Sequence, residues 1–239
     1  MRVYRHELKY FINYGDYESL KVRMSPYFSL DPNALDGEYV IRSLYFDDLW
    51  NSAYEEKDMG VYFRKKYRIR IYNYSDKVIK LERKLKQGQY IFKESASLSR
   101  DEVYRIIDGD YDFLLQHKKN LCREFYYECV SRYMRPRVIV DYDRTPYILD
   151  EGTVRVTFDK KLRAPLESFD IFNSELPTIS AFPVDKLIME VKFTEFLPRI
   201  VKDIIRPVPN ELVAASKYVM CCDKTAYLYN ESACYWNEM

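Results

Sequence analysis

The sequence has few of the residues that common nucleotide-binding and hydrolytic motifs require. Its six glycines stand at positions 15, 37, 60, 88, 109 and 152, so no pair has the spacing of GxxxxGK or GxGxxG. There is no GxSxG elbow and no HExxH zinc motif, and the two histidines, His6 and His117, have no ligand-spaced partner. These absences exclude P-loop and dinucleotide-binding enzymes and disfavour most hydrolases that depend on a protein nucleophile.

Paired cysteines, long apolar runs and a large net charge are also missing. The five cysteines form no CxxC pair, and no window approaches the roughly eighteen apolar residues of a membrane-spanning helix. The N-terminal MRVYRHELKYFI is charged where a signal peptide would be apolar. The net charge of +1 argues against a protein that coats nucleic acid. We therefore expect a soluble cytoplasmic protein with no transmembrane segment and no nucleic-acid partner.

Two hydrophobic periods alternate along the chain. A two-residue period predicts strands at 2–12, 38–48, 65–73, 77–85, 89–95, 136–149, 153–164 and 186–193. Helical spacing predicts helices from Asp16 as N-cap, at 49–59, 99–109, within 110–133, at 196–206 and at 214–231. No linker or repeat divides the chain, so we predict a single domain over 1–239. The predicted fold is α+β: an antiparallel β-barrel forming a tunnel, with helices packed outside.

Charge is concentrated in one predicted hairpin. Between Arg64 and Lys84 there are nine Lys or Arg and two acidic residues. Arg68 and Arg70 alternate with isoleucines, which places both arginines on one face of a strand. These charges either face water or hold an anionic ligand.

A carboxylate and an ammonium two residues apart recur on three predicted strands. The pairs are Glu7 with Lys9, Glu82 with Lys84, and Glu190 with Lys192. Each pair lies on one face of its strand and is, taken alone, most simply an exposed face whose charges compensate each other. If the apolar faces pack outward against helices, the charged faces must line the barrel, where unpaired cations require an anion. Lysines and arginines would then neutralise phosphates, and a glutamate would hold Mg²⁺ or Mn²⁺.

These segments, taken in order, resemble the triphosphate tunnel metalloenzymes of the CYTH-like superfamily. They are most similar to the catalytic domain of the vacuolar transporter chaperone (VTC) polyphosphate polymerases. The resemblance rests on RHELKY, RSLYFDD, RIRIY, KLERK, PRVIVDYDRTPY, VRVTFD, LIMEVKF and SKY, which together extend over nearly the whole chain. The phosphate-sensing SPX domain and membrane segments of the fungal complex have no counterpart in this sequence, so we expect a free-standing catalytic module.

The resemblance also implies roles for individual residues. The catalytic cations would be Arg68, Arg70, Arg155 and Lys217, and the substrate-binding cations Lys9, Lys84, Arg137 and Lys192. Glu190 matches the family's metal-binding glutamate, and Glu82 and Glu7 are further metal candidates. The superfamily's opening ExExK is here Arg5-x-Glu7-x-Lys9, which favours the VTC branch over the adenylate cyclase and thiamine triphosphatase branch. Asp141 and Asp143 are either additional metal ligands or partners of tunnel arginines.

The implied activity is that of an ATP-dependent polyphosphate polymerase. In this reaction the γ-phosphate of ATP passes to a polyphosphate chain with the help of a divalent metal. Two alternatives remain open: a metal-dependent triphosphatase acting on inorganic triphosphate or a nucleoside triphosphate, and a non-catalytic polyphosphate-binding protein. ATP and polyphosphate or triphosphate are the expected ligands, and a membrane-associated or kinase-like partner protein is compatible with the sequence.

Overall fold

One antiparallel sheet of eleven strands organises the chain in a computed structural model, which describes residues 6–34, 36–88, 90–194, 196–205 and 211–235. The strands are β1 (His6–Asn13), β2 (Ser29–Leu30), β3 (Tyr39–Asp47), β4 (Phe63–Tyr72), β5 (Ser75–Gln87), β6 (Tyr90–Ser97), β7 (Arg135–Leu149), β8 (Val154–Pro165), β9 (Thr178–Ser180), β10 (Lys186–Phe193) and β11 (Glu211–Leu212). The eight predicted strands are all present. Residues 2–5 of the first predicted strand, which include Arg5, lie outside the described residues.

The strand order is β11-β1-β10-β8-β7-β3-β4-β5-β6, with β2 added to β7 and β9 to β8. Strands β3 to β6 are neighbours in both sequence and space, so this part of the sheet is a meander. Because β10 lies between β1 and β8, the sheet brings Glu7 and Lys9 beside Glu190 and Lys192. The topology therefore assembles two of the Glu-Lys pairs from opposite ends of the sequence.

The predicted closed barrel is not confirmed, because the hydrogen-bonded order ends at β6 on one side and at β11 next to β1 on the other. The sheet nevertheless curls until side chains from its two ends meet. Lys84 Nζ of β5 lies 2.9 Å from Glu7 Oε2 of β1, and the rings of His6 and Tyr90 are 6.0 Å apart. In the described residues, side chains and not main-chain bonds join these two ends.

The described part of the chain contains six α-helices. They are α1 (Tyr14–Met24), α2 (Ser52–Asp58), α3 (Arg100–Ile107), α4 (Asn120–Ser131), α5 (Arg199–Ile205) and α6 (Lys217–Tyr235). Helix α3 begins after Ser99, which forms the reciprocal capping box with Glu102. The predicted N-cap of the first helix was wrong: Asn13 caps α1 by accepting a hydrogen bond from the Asp16 amide at 2.8 Å.

Apolar residues of the sheet form three clusters with the helices. Helices α1 and α5 cover β1, β8 and β10 through Leu20 and Val201, while α3 and α4 cover β3 to β5 through Ile106 and Phe125. Helix α6 differs, because its Tyr218 packs with residues of the opposite face of the sheet. The prediction that all helices pack outside the sheet therefore fails for α6. This helix forms part of the cavity described below.

None of the helices within the described ranges has both the length and the apolar character that crossing a membrane requires. The four cysteines that the structure describes are free and buried (Cys122, Cys129, Cys221 and Cys222).

Candidate functional site

The face of the sheet that α6 joins borders a cavity of about 1030 Å³. Strands β1, β3, β4, β5, β6, β7, β8 and β10 all contribute side chains to it, together with the start of α6. Among the described residues that line it, thirteen are Lys or Arg and three are Asp or Glu. Such an excess of one sign within low-dielectric walls attracts anions.

Glu190 lies at the centre of an ion-pair cluster on one side of the cavity. Its carboxylate oxygens lie 2.7 Å from the Nζ of Lys217 and 2.7 Å from that of Lys192, with Lys9 at 3.5 Å and Arg144 at 3.4 Å. Burial alone would raise the pKa of Glu190, but these four cations lower it well below its ordinary value. Glu190 is therefore a buried, ionised carboxylate that is fully engaged with protein cations.

Lys217 bridges two carboxylates on neighbouring strands. Its Nζ is 2.6 Å from Asp159 Oδ2 and 2.7 Å from Glu190 Oε1. It is the first residue of α6, and the packing of that helix on β7 and β8 carries it into the cavity. Burial opposes its charge, but Asp159 and Glu190 raise its pKa above the ordinary lysine value. Lys217 is thus a permanent cation in the ligand-free protein.

Glu7 connects the two ends of the curled sheet. It accepts ion pairs from Lys84 at 2.9 Å and from Lys9 at 3.2 Å. Burial would raise its pKa, yet Lys84 and Lys9 lower that pKa far below the ordinary glutamate value. Lys9 also donates a hydrogen bond to the Ala215 carbonyl at 3.0 Å, just before α6. The two ends of the sheet and the start of α6 are therefore held in one polar network.

Strand β4 presents a row of cations to the opposite side of the cavity: Arg64, Lys66, Arg68 and Arg70. The Arg68 guanidinium is paired with Glu82 at 2.7 Å and donates to the Tyr45 hydroxyl at 2.7 Å. Arg70 donates to the hydroxyls of Ser43 at 3.0 Å and Tyr142 at 3.3 Å. Within the described ranges, no carboxylate lies within 4.0 Å of the side-chain nitrogens of Arg70 or Lys66. Both side chains are therefore available to an anionic ligand.

The structure brings most of the sequence-predicted site residues into one cavity. The lining includes Glu7, Lys9, Arg68, Arg70, Lys84, Arg155, Glu190, Lys192 and Lys217. Arg155 lies among them but is ion-paired with Asp31, and its side chain is 42% exposed. Glu82 is 2% exposed, lies outside the lining and is held by Arg68 and Lys93. Both residues thus already have partners within the protein, and their roles stay predictions.

Arg137, like Glu82, is a predicted site residue that lies outside the cavity lining. Its Nε donates a hydrogen bond to Asn51 Oδ1 at 3.3 Å, at the start of α2. Asp141 and Asp143 also lie outside the lining. Asp141 forms a buried ion pair with Arg42 at 2.7 Å, and Asp143 pairs with Arg163 at 3.1 Å. The two aspartates therefore have arginine partners, but not arginines of the cavity.

Sequence reasoning missed Lys66, Tyr142, Arg144 and Asp159. Arg144 holds Asp159 by two hydrogen bonds of 2.6 and 2.7 Å and also reaches Glu190. Asp159 and Arg155 lie on β8 an even number of positions apart, so the alternation that identified the arginine would have identified the aspartate too. Lys66 shares parity with Arg68 in the same way. No comparable signal distinguishes Arg144, because both faces of β7 are buried.

A family model, the VTC domain, matches residues 4–226 of the 239. The chain belongs to the VTC domain family. This confirms the family expected from the ordered segments of the sequence. A comparison with curated proteins gives no match.

Solved structures show the fold that this VTC domain adopts. One of them is HpAC1 from Hippeastrum, a candidate adenylyl cyclase described as having a dominant triphosphatase activity. It is 14% identical to this chain with a TM-score of 0.54, and the match covers 91% of this chain and 93% of HpAC1. A candidate adenylate cyclase from Bacillus halodurans is 9% identical with a TM-score of 0.52, covering 89% and 95%. At these identities the likeness establishes the fold alone, which this chain shares with both proteins.

The resemblance also implies a bound Mg²⁺ or Mn²⁺, and the carboxylates of the VTC domain are compatible with one only in part. Within the described ranges, no group of three His, Cys, Asp or Glu side chains is placed to hold a metal ion. Glu190 and Asp159 offer the hard oxygen donors that these ions prefer, but lysines already contact both. Mg²⁺ commonly takes one or two carboxylates and completes its shell with water and substrate phosphates. The donor set thus suits an ion that enters with a phosphate ligand.

Proposed function

We propose that this VTC domain is an ATP-dependent polyphosphate polymerase. It would transfer the γ-phosphate of ATP to the end of a polyphosphate chain lying in the cavity. One observation carries the proposal: the cavity is lined by thirteen Lys or Arg and three Asp or Glu among the described residues. A chain of phosphates carries the regularly spaced negative charge that such a surface attracts.

The reaction needs no nucleophile from the protein. A terminal oxygen of the acceptor polyphosphate attacks the γ-phosphorus and forms the new P–O bond. The bond between that phosphorus and the β–γ bridging oxygen breaks, and ADP leaves with the electron pair. The sequence lacks the motifs of catalytic sites that use a serine, cysteine or histidine, which is compatible with this chemistry.

The residues of the cavity would act by positioning and by neutralising charge. Arg70 has two hydroxyl partners, so its guanidinium can take phosphate oxygens without first breaking an ion pair. Arg68, Lys84, Lys9 and Lys192 would supply further positive charge, each while sharing a carboxylate. Preorganised cations of this kind stabilise the charge that builds up on the transferring group.

Glu190 is the residue we assign to a divalent metal that arrives with the phosphates. Such an ion would supply positive charge that reduces the repulsion between the two anionic substrates. Lys192 and Lys217, which contact the same carboxylate, would add positive charge for the phosphates.

Hydrolysis of triphosphate is the second candidate function. In that reaction, water replaces the acceptor phosphate as the nucleophile, and the same cations bind the substrate. The triphosphatase activity described for the similarly folded HpAC1 supports it. The cavity would bind triphosphate in either case, so only the products distinguish the two functions.

Product analysis tests the proposal. Purified protein is incubated with γ-labelled ATP and Mg²⁺ or Mn²⁺, and the products are separated on a gel. We expect labelled chains of increasing length together with ADP. Free phosphate alone would favour the triphosphatase, and unchanged ATP with retained binding would indicate a non-catalytic polyphosphate-binding protein. Arg123→Ala is a suitable control, since Arg123 is an exposed residue of α4 outside the cavity lining and its loss should leave the product pattern unchanged.

A further inference from the structure

Lys66 on β4 is a cavity lysine for which the proposed mechanism has no role. It lies between Arg64 and Arg68 in the inward-facing row of that strand. Its Nζ is 4.3 Å from the centre of the Tyr218 ring and 3.5 Å from Ser216 Oγ. Tyr218 belongs to α6, and Ser216 is the residue just before that helix. Lys66 therefore faces the start of the helix that supplies Lys217.

The cross-strand neighbour of Lys66 is another lysine, and the two differ in their partners. In the register of β4 with β5, Lys66 stands directly opposite Lys84. Lys84 is paired with Glu7 at 2.9 Å, whereas no carboxylate of the described residues lies within 4.0 Å of Lys66 Nζ. Like charges directly opposite each other in a sheet are destabilising. Lys66 bears this repulsion without a compensating ion pair.

The acidic group that most favours the charged form of Lys66 is Asp47, and it is engaged elsewhere. Asp47, at the end of β3, accepts hydrogen bonds from the Ala53 amide at 2.8 Å and the Tyr54 amide at 3.1 Å, and from the Tyr218 hydroxyl. These bonds fix the first turn of α2 and hold α6 against the sheet. Asp47 cannot turn towards Lys66 without giving them up.

The groups that face Lys66 come from four elements. They are Asp47 of β3, Lys57 of α2, Lys84 of β5, and Tyr218 and Cys222 of α6. Burial has the largest influence on the pKa of Lys66 and lowers it. Asp47 and Cys222 partly oppose this effect, whereas Lys57 and Lys84 add to it, and the resulting pKa is about 7. The ammonium form is thus poorly supported by the protein alone.

We propose that Lys66 is a further phosphate-binding residue, which takes up a proton when the anionic ligand enters the cavity. The inference rests on the proposed function, because it requires a triphosphate or polyphosphate anion in the cavity. A phosphate oxygen beside Lys66 would supply the negative charge that its neighbours do not, and the ammonium form would become the favoured one. Binding of the ligand and protonation of Lys66 are then a single coupled event.

The coupling has a size that can be measured. With a pKa of about 7 in the free protein, roughly a tenth of Lys66 is protonated at about pH 8. If the bound anion restores an ordinary lysine pKa, roughly 0.9 proton is taken up per ligand at that pH. Above pH 7 the affinity of the protein for the phosphate anion should fall by up to about tenfold for each pH unit, through the deprotonation of Lys66 alone.

Isothermal titration calorimetry with sodium tripolyphosphate, without metal, tests the coupling. Titrations at about pH 8 in two buffers of different ionisation enthalpy count the protons taken up. Lys66→Arg is the matched control, because arginine stays charged and cannot take up this proton, while the titration of the ligand itself is the same for both proteins. We expect the wild type to take up about one proton more than Lys66→Arg.

The outcomes separate the inference from the function on which it rests. Equal proton uptake by the wild type and Lys66→Arg, with both binding tripolyphosphate, would overturn the inference and leave the function intact. An absence of binding to the wild type would overturn both.

An NMR titration of the lysine 13Cε signals in the wild type gives a readout that needs no variant to fold. The Lys66 signal should titrate near neutral pH in the free protein and shift to higher pH with tripolyphosphate, and an ordinary lysine titration in the free protein would contradict the proposal.

Discussion

The two sides of the cavity use similar charged residues in different ways. On the side formed by β1, β8 and β10, Glu7, Asp159 and Glu190 each contact at least two Lys or Arg side chains. On the side formed by β4, Arg70 and Lys66 have hydroxyl and ring partners but no carboxylate within 4.0 Å among the described residues. The first side is electrostatically complete within the protein. The second becomes complete when an anion binds.

This difference separates structural charge from functional charge. A buried carboxylate with several cations contributes to the folded state, and its removal leaves those cations uncompensated. A cation without a carboxylate contributes little to folding and much to ligand binding. Substitutions on the two sides should therefore have different effects on stability and on turnover.

The largest effect is expected for Glu190→Gln. The change leaves Lys217, Lys192 and Lys9 with less compensating charge, so the free energy of unfolding should fall by about 3–5 kcal/mol and turnover should be lost. Binding of polyphosphate without metal should persist, because the cavity becomes more positive. Urea unfolding with and without tripolyphosphate measures both effects, and we expect the ligand to restore part of the lost stability. Glu175→Gln, at an exposed position, is the control.

Loss of polyphosphate binding together with the fold in Glu190→Gln, with no recovery by tripolyphosphate, would contradict this prediction. Glu190 would then be a structural partner only, and the metal would have to be bound elsewhere.

Arg70→Ala should mainly affect function. Because Arg70 has no carboxylate partner within reach among the described residues, its removal leaves only the buried Ser43 and Tyr142 hydroxyls without their donor and should lower the free energy of unfolding by no more than about 1–3 kcal/mol. Turnover should fall by about 100-fold, the loss typical of removing one preorganised group that stabilises transition-state charge. Initial rates at saturating ATP and thermal unfolding measure the two effects. A large drop in melting temperature with activity retained would show that Arg70 belongs to the structural side.

Arg155 should behave differently from Arg70 although both line the cavity. Arg155→Ala leaves the buried Asp31 carboxylate without this cation, so the free energy of unfolding should fall by about 1–3 kcal/mol. Arg155→Lys keeps a positive charge beside Asp31 and should recover part of the loss. Urea unfolding of the two variants compares them, and equal stability of Arg155→Ala and the wild type would rule out this structural role.

Acid should destabilise the structural side first. The pKa values of Glu7 and Glu190 are lowered in the folded protein, because neighbouring lysines outweigh the effect of burial. Their stabilisation is therefore complete above the unfolded-state pKa of about 4.3 and is lost as the pH falls below it, by about 1.4 kcal/mol per pH unit for each group. Unfolding free energies between about pH 6 and 3 should show this slope, and it should be shallower in Glu190→Gln. A pH-independent free energy over this range would contradict the assignment.

Strand alternation explains how much of the site could be predicted. It placed Arg68, Arg70, Glu190 and Lys192 on shared faces because each of their strands has one apolar and one charged face. It failed on β7, where a bulge at Arg137 interrupts the alternation: Pro136 and Val138 pair with Phe46 and Tyr45 of β3, and Arg137 falls between them. Both faces of that strand are buried, so the sequence alone gives no reason to prefer the correct arginine.

Tertiary contacts account for what remained beyond prediction. The sequence pattern shows that Glu190 and Lys192 share a face, but not that Lys217 from α6 also contacts Glu190. Likewise it predicts short antiparallel strands without showing that side chains such as Glu7 and Lys84 join the ends of the sheet. Both features depend on how distant elements pack, which no local period records.

The most direct test of the account is the affinity of tripolyphosphate for the wild type and Arg70→Ala, measured by isothermal titration calorimetry at low salt. The uncompensated cations of β4 should bind the anion, so we expect one site per wild-type chain and about tenfold to 100-fold weaker binding in Arg70→Ala. Added salt should weaken the wild-type interaction, as expected for an ionic contact. Equal affinity in the two proteins, or no binding to the wild type at millimolar tripolyphosphate, would contradict the claim that this side of the cavity receives the phosphate chain.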